Sequence, residues 1–257
     1  MSRALMLRQA KYTNKAFWRN PASAFFTFAF PLLFLVIFTT LFGGTGTLNV
    51  NGHRVSVATF YIPAITVFAV ITACYTNVAM TLTFARDTGV LKRIRATPLP
   101  EWAYLGGRML HAAFVAVLLV VICIAFGAVF YDASVPGKSL PAFLLTLVVG
   151  AASFCALGMA VTAIIPNADA APAIVNATIL PLLFISDVFI PLQSPPVWVD
   201  AAGRIFPVRH FSDAMQHAFF PPAGTTGLRF GDLLVVAGWG VLGLVVAMRW
   251  FSWEPRS

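Results

Sequence analysis

The sequence predicts an all-α integral membrane protein with six transmembrane helices, because an apolar composition is combined with six long apolar runs. Of its 257 residues, 59% are hydrophobic and 10% are charged, and the mean hydropathy is +0.85. A soluble domain carries about 25% charged residues. Each run is long enough to cross about 30 Å of hydrocarbon at about 1.5 Å per residue. The six runs are Ala22–Phe42, Thr59–Phe84, Met109–Phe130, Leu140–Ile165, Ala170–Phe189 and Leu233–Phe251.

The N-terminal residues 1–20 form a basic segment that precedes the first span. They include five basic residues and no acidic residue, and the basic positions 8, 11, 15 and 19 recur at helical spacing. We expect an amphipathic helix that lies in the headgroup layer of the membrane. A cleavable signal peptide is not indicated, because the apolar run that follows continues for a full membrane thickness.

The distribution of basic residues predicts the orientation of the spans. With the N-terminus inside, twelve of the seventeen Lys and Arg residues fall on the cytoplasmic side and five fall outside. Positively charged loops remain in the cytoplasm, so we expect both termini to be cytoplasmic. The net charge of +8 therefore reflects short loops around apolar runs, and it does not indicate nucleic-acid binding.

The segment between the fifth and sixth spans is long for a simple connection. Residues 190–232 contain apolar stretches that prolines interrupt and that are too short to cross a membrane. Such stretches are typical of re-entrant or interfacial helices. We therefore expect the whole chain, residues 1–257, to form one transmembrane domain. Its parts are the interfacial helix (1–20), spans 1 and 2 (22–84), a cytoplasmic loop (85–108), spans 3 to 5 (109–189), the outer segment (190–232) and span 6 (233–251).

The cytoplasmic loop is the most polar part of the chain and reads as a short basic helix. Its pattern predicts a helix over Gly89–Thr97, about 13 Å long, which Asp87 or Thr88 would cap and Pro98 would end. Leu91 and Ile94 would then form an apolar ridge for a partner. A basic loop between two spans is also what the positive-inside rule requires, so charge alone leaves open a purely topogenic role.

The order of residues in this loop resembles that of the type-2 ABC transporter permeases. The family pattern is Glu, any residue, Gly, Thr, Leu, basic residues and Thr-Pro. This sequence departs from it in having Asp87 for Glu and Val90 for Thr. A second resemblance lies before the last span, where Phe206-Pro207 stands in place of the commoner Asn-Pro. The matching positions are Asp87, Gly89, Leu91, Lys92, Arg93, Thr97 and Pro98 in the loop, and Phe189, Pro191, Leu192, Trp198, Pro207, His210, Asp213 and Ala214 in the outer segment.

The resemblance implies a membrane subunit of an ABC exporter in the bacterial inner membrane. It implies that two permease subunits pair, as identical or homologous copies, and that each docks a cytosolic ATPase through this loop. ATP and Mg²⁺ would then bind the ATPase, and no cofactor is expected on this chain. The abundance of Phe and the lack of charge within the spans suit a hydrophobic or amphipathic cargo such as a drug, an antibiotic, a lipid or a lipid-linked glycan. The residues assigned to coupling are Arg86, Asp87, Gly89, Leu91, Lys92, Arg93, Ile94, Thr97 and Pro98.

We expect the ridge residues to matter most for this coupling. Leu91 and Ile94 would each contribute about 1.5–3 kcal/mol if a partner buried them, and exposed cations would contribute about 0–1 kcal/mol. On this interpretation Leu91→Asp or Asp87→Ala abolishes transport, whereas Lys92→Gln is mild.

Other chemistry is not indicated by the sequence. Gly137-Lys138-Ser139 fails as a phosphate-binding loop because Asp132 stands where the first glycine of GxxxxGK[ST] is required. No carboxylate falls within a span, as coupling to protons or sodium would favour. His111, His210 and His217 come with no third ligand or nucleophile, and Cys74, Cys123 and Cys155 lie singly in apolar runs, so neither a membrane hydrolase nor a metal or disulfide site is indicated.

A second class of function stays open at this point. A membrane facilitator, channel or sensor that works without an ATPase would show the same spans and the same charge asymmetry. An ATPase encoded beside this gene would distinguish the two.

Overall fold

The computed structural model describes residues 2–42, 47–131, 136–137, 139–186, 188–189 and 196–254. These residues form eleven α-helices, one π-helical turn and one β-hairpin. The helices are α1 (Ser2–Trp18), α2 (Pro21–Phe42), α3 (Val57–Ile71), α4 (Asn77–Asp87), α5 (Val90–Arg95), α6 (Glu101–Tyr131), α7 (Leu140–Val161), α8 (Ala171–Phe184), α9 (Val197–Ile205), α10 (Pro207–Phe219) and α11 (Phe230–Trp250). The π-turn is Thr72–Thr76, and the strands are β1 (Thr47–Val50) and β2 (His53–Ser56).

The predicted membrane class is confirmed, since five described helices are long and apolar enough to cross a membrane. They are α2, the continuous α3–π–α4 unit, α6, α7 and α11. The predicted fifth span corresponds to α8, which has 14 residues and is about 21 Å long. The six-span layout therefore stays a prediction, as does the position of α1 in the headgroup layer.

The central helix of the bundle is the α3–π–α4 unit, and 72% of its most apolar 18-residue window is buried. The π-turn in its middle moves carbonyl groups towards α7. A Cβ atom added at Gly158 would lie 2.6 Å from the Tyr75 carbonyl oxygen, so only glycine allows this approach. On the other side, Phe38 of α2 stacks on Tyr61 of α3, with 5.3 Å between the ring centroids. Helix α7 in turn packs on α11, where Gly240 faces Ser153.

The all-α class is confirmed, and the short antiparallel hairpin of β1 and β2 is an addition that was not predicted. Its turn residues Asn51 and Gly52 have φ angles of 53° and 86°. Positive φ at both central positions is the signature of a type I′ turn, for which Asn-Gly is the preferred pair. The hairpin contacts the end of α10, since Asn51 Nδ2 donates to the Phe220 carbonyl and His53 Nε2 lies 2.8 Å from the Pro221 carbonyl oxygen.

Contacts define two ends of the bundle. At the basic end lie α1, α5, the loop 162–170 and the residues after α11, where the Trp253 ring packs at 6.3 Å from the Tyr104 ring. At the hairpin end lie β1, β2, α9, α10 and the start of α7, where Ser139 Oγ donates to the Ala218 carbonyl at 2.6 Å. The two helices α9 and α10 occupy the segment for which re-entrant or interfacial helices are predicted.

Two sequence features lie outside the described residues. They are Asp132 and Lys138 of the rejected phosphate-loop match, and Ile190–Leu192 of the Phe-Ile-Pro-Leu segment.

Candidate functional site

The basic end contains the segment for which a partner-binding role is predicted, and α5 is its centre. Helix α5 covers Val90–Arg95, six residues, so the predicted helix over Gly89–Thr97 is too long. It ends where Thr97 Oγ1 donates to the Ile94 carbonyl at 2.6 Å, just before Pro98. Helix α6 already begins at Glu101, within the predicted cytoplasmic segment 85–108, whose membrane boundaries stay a prediction.

Gly89 joins α4 to α5 through a left-handed backbone conformation. Its φ angle is 70°, and its N–H donates to the Arg86 carbonyl at 3.0 Å. A Cβ atom added there would meet no atom within 4 Å, so the φ angle and not space requires glycine. This is the geometry of a glycine that ends one helix and allows another to begin at once.

The predicted cap of α5 by Asp87 or Thr88 is wrong. No side chain caps the N-terminus of α5. Thr88 Oγ1 instead donates back to the Phe84 carbonyl at 2.8 Å, and Asp87 Oδ2 accepts a hydrogen bond from the Ala168 N–H. Asp87 therefore ties the end of α4 to the loop that follows α7.

Arg86 lies inside the bundle, although the sequence placed it among the docking residues. Its side chain is 2% exposed, and its guanidinium donates to the carbonyl groups of Thr162, Ile165 and Pro166 at 3.1, 2.8 and 3.1 Å. These are carbonyls at and beyond the C-terminus of α7, where helices leave acceptors unpaired and where positive charge is favoured. We call Arg86, Asp87 and their partners in residues 162–168 the arginine clamp.

Leu91 is also buried in this chain, which corrects the predicted ridge. It is 0% exposed and belongs to the same apolar core as α3 and α4. Ile94 is half-buried and lines a cleft of about 360 Å³ between α5 and α1. The two residues therefore fasten α5 to its own bundle. An amphipathic pattern in a short loop helix does not distinguish an apolar face that packs inside from one that a partner covers.

The outer face of α5 and the turn after it carry the exposed coupling candidates. They are Lys92, Arg93, Arg95, Thr97 and Pro98. The Arg95 guanidinium pairs with the Glu101 carboxylate at 3.3 Å, and both side chains are at least half exposed. The structure therefore divides the predicted site into an outer set of exposed cations with Thr97-Pro98 and an inner set of Arg86, Asp87 and Leu91.

Sequence reasoning missed the packing of α1 on this site. A Cβ atom added at Gly107 of α6 would lie 2.7 Å from Gln9 Cβ. The adjacent pair Gly106-Gly107 was a signal for a close helix contact that the sequence did show. Trp253 was missed as well, and it is 8% exposed where it closes the basic end.

A second group of charged residues lies at the hairpin end. The Asp232 carboxylate lies 2.7 Å from His210 Nδ1 and 2.6 Å from Arg229 Nε. His210 Nε2 lies 2.9 Å from the Arg204 carbonyl oxygen, so both ring nitrogens are held. These contacts join α9, α10 and α11. Within the described residues, no three His, Cys, Asp or Glu side chains come together as a metal site.

Burial shifts two titrating groups of α10. Burial raises the pKa of the Asp213 carboxyl, and the nearby Arg209 partly opposes this. Burial lowers the pKa of the His217 imidazole, and the positive charge of Arg229 acts in the same direction. Both shifts favour the neutral form of the side chain.

Comparison with known proteins gives the family directly. The family model described as ABC-2 type transporter matches residues 5–220. The chain is 25% identical over 207 residues to the putative transport permease YvfS of Bacillus subtilis (strain 168), covering 80% of this chain and 82% of YvfS. It is 28% identical over 200 residues to the daunorubicin resistance ABC transporter permease protein DrrB1 of Streptomyces coeruleorubidus, covering 76% of this chain and 67% of DrrB1.

A third relative is the probable multidrug ABC transporter permease YbhR of Escherichia coli (strain K12). The chain is 26% identical to it over 166 residues, which are 64% of this chain. This match covers less than half of YbhR, 44% of its length. The match of the family model to most of the chain, together with the apolar helices, shows that this multi-pass membrane protein belongs to the ABC-2 type transporter family, the type-2 ABC permeases that its motifs resemble.

Proposed function

We propose that this chain is the membrane-spanning subunit of an ABC exporter whose energy comes from a separate ATPase. The ATPase binds ATP and Mg²⁺ and docks on the outer face of α5 in the cytosol. Two permease subunits, identical or homologous, form the transporter in the bacterial inner membrane with both termini inside. The cargo is hydrophobic or amphipathic. The names of the relatives DrrB1 and YbhR, which refer to daunorubicin resistance and multidrug transport, support that class.

The observation that carries the proposal is the way α5 is attached. Its outer face presents exposed cations, while Leu91 on its inner face is fully buried among residues of α3 and α4. A helix held in this way moves only together with the core that it packs against. A force applied to the outer face is therefore passed to the spans and is not absorbed by a flexible loop.

The arginine clamp provides a second connection through which a displacement of α5 reaches the spans. Arg86 and Asp87 precede Gly89 by three and two residues, and both bind the backbone between Thr162 and Ala168. That backbone joins α7 to α8. A displacement of α5 by nucleotide-driven closure of the ATPase would thus reach α4 directly and α7 and α8 through the clamp.

The test is capture of the ATPase by variants of the outer face. The chain is co-expressed with the ATPase encoded beside it, purified, and scored for bound ATPase and for ATP hydrolysis. We expect the double change Lys92→Glu with Arg93→Glu to lower capture at least ten-fold, because it reverses two exposed charges at the docking face.

The matched control is Arg54→Glu, which reverses one exposed charge on the hairpin at the opposite end of the bundle. Both proteins should reach the membrane in equal amounts. Equal capture of the ATPase by the double variant and by wild type would remove α5 as the docking site. Failure of wild type to bind any ATPase would favour the facilitator, channel or sensor.

A further inference from the structure

A groove runs along the surface of α6, between α1 on one side and α7 on the other. Its first part has a volume of about 350 Å³ and is lined by Ala10, Lys11, Asn14, Leu110, His111 and Phe114. Its second part has a volume of about 340 Å³, and its walls include Ala113, Val117 and Val148. Leu110 lines both parts, so they lie next to each other along α6. We call them together the α6 groove.

The first part of the groove has a mainly apolar surface with a positive charge at its edge. Lys11 is exposed there, with Arg8 and Lys15 within one helical turn of it on α1. Neither the residues that line the groove nor any residue of α1 is acidic. An anion at Lys11 would therefore meet only attraction from its immediate neighbours.

Two polar atoms in this part have no hydrogen-bond partner among the described residues. They are Asn14 Oδ1 and His111 Nδ1, both buried, and His111 as a whole is 7% exposed. The His111 ring packs against Phe17, with 5.4 Å between ring centroids, which holds its position. Buried polar atoms in folded proteins nearly always have a partner. These two indicate a partner that is not part of the described chain.

The second part of the groove is apolar and open to the side. Val117 and Val148 are 44% and 64% exposed on helices that are long and apolar enough to cross a membrane. The distance along α6 from His111 to Val117 is about 9 Å. A ligand that fills both parts must carry an anionic, hydrogen-bonding group at one end and an apolar chain at the other.

We propose that the α6 groove binds one anionic phospholipid from the membrane leaflet at the basic end. The lipid phosphate lies against the Lys11 ammonium group, and the polar headgroup supplies the hydrogen-bond partners of Asn14 and His111. One acyl chain follows Leu110, Val117 and Val148 towards the middle of the membrane. The lipid thereby joins α1 to α6. This site does not depend on ATPase docking or on the direction of transport.

The experiment measures lipid binding by the purified full chain in an uncharged detergent, using native mass spectrometry. Phosphatidylglycerol should bind as one tight equivalent, and phosphatidylcholine should bind at least ten-fold more weakly. Lys11→Gln should weaken phosphatidylglycerol about five-fold, the loss of one lysine near an anionic headgroup. Lys92→Gln, an exposed cation at the same end but outside the groove, should leave the affinity unchanged. Equal losses for both lysine variants would overturn the site.

The apolar part is tested with Val148→Trp, which fills the groove from an exposed position and so leaves the fold intact. It should weaken phosphatidylglycerol at least five-fold. Its control is Val241→Trp on α11, since Val241 is 62% exposed and outside the groove. Two further results would overturn the proposal. One is competition by millimolar inorganic phosphate, which would assign the first part of the groove to a free anion. The other is a change of protein mass from dimer to monomer in Val148→Trp, which would assign the groove to a second copy of the chain.

Discussion

Both ends of the bundle supply hydrogen-bond donors to the carbonyl groups at the end of a helix, but they use different side chains to do so. At each end, the carbonyl groups at the C-terminus of a helix accept hydrogen bonds from a distant segment. At the basic end, one buried guanidinium, that of Arg86, serves three carbonyls after α7. At the hairpin end, Ser139, Asn51 and His53 each serve a single carbonyl at or after the end of α10.

This difference indicates where each end draws its stability. Hydrogen bonds from a charged donor are stronger than neutral ones, and removal of a buried charged donor leaves several acceptors unsatisfied at once. The stability of the basic end should therefore depend mainly on Arg86. At the hairpin end, removal of any one donor should cause only a small loss of stability. The proposed docking of an ATPase on α5 would benefit from a rigid attachment of this kind.

The largest expected effect follows from Arg86→Ala. It leaves three carbonyls without their donor and Asp87 without its ion-pair partner, so we expect the free energy of unfolding to fall by about 3–5 kcal/mol. Denaturant unfolding in detergent, followed by tryptophan fluorescence, measures this. Arg86→Lys should lose less, because lysine keeps the charge but lacks the planar fork. A loss below about 1 kcal/mol for Arg86→Ala would show that the arginine clamp is not what holds the basic end.

The next effect distinguishes the inner face of α5 from its outer face. Leu91→Ala removes a fully buried side chain, so the free energy of unfolding should fall by about 2–5 kcal/mol, whereas the change for Lys92→Ala should stay within about 0.5 kcal/mol. ATPase capture at equal amounts of folded protein should show the reverse order. If Leu91→Ala is stable yet fails to bind the ATPase, the result would instead support the prediction that Leu91 belongs to an apolar ridge that the ATPase covers.

A smaller effect is expected at the hairpin end. Ser139→Ala removes one neutral hydrogen bond to the Ala218 carbonyl, and we expect a loss of about 0.5–1.5 kcal/mol. His53→Ala, at an exposed position, should lose no more than Ser139→Ala. The same unfolding measurement serves for both. A loss for Ser139→Ala as large as that for Arg86→Ala would remove the proposed difference between the ends.

The sequence was sufficient for five of the predicted spans and for the position of α5. Apolar runs are local signals, and Gly89 and Pro98 bracket a helix by local backbone rules. The hairpin was also legible, because Asn51-Gly52 is the strongest short signal for such a turn. It was missed because each strand has only four residues, too few to give a clear alternating pattern.

The burial of the inner set of site residues could not be predicted from such local signals. Arg86 has the same sequence context as a topogenic charge, and only its contact with a backbone 76 residues away shows that it is buried. The direction of Leu91 depends likewise on where α5 lies against α3 and α4. Tertiary packing decides both, and the residues concerned are far apart in the chain.

The smallest expected effect is a dependence of the hairpin end on pH. Burial, followed by the charge of Arg229, lowers the pKa of the His217 imidazole below its ordinary value of 6.5, although the backbone carbonyl of Asp213 and the charge of Asp232 oppose this. In the unfolded chain His217 takes a proton as pH falls below about 6.5, whereas in the folded chain it resists protonation until a lower pH.

The unfolded state therefore binds more protons in that interval, and stability falls as pH is lowered through the ordinary pKa of histidine, about 6.5. His217→Gln should remove this part of the pH dependence of the unfolding free energy. Asp213→Asn should act in a lower range, because the raised pKa of Asp213 makes the folded state bind more protons above the ordinary pKa of an aspartate, about 3.9. Parallel pH profiles for wild type and His217→Gln would show that proton binding at His217 does not distinguish the folded from the unfolded chain.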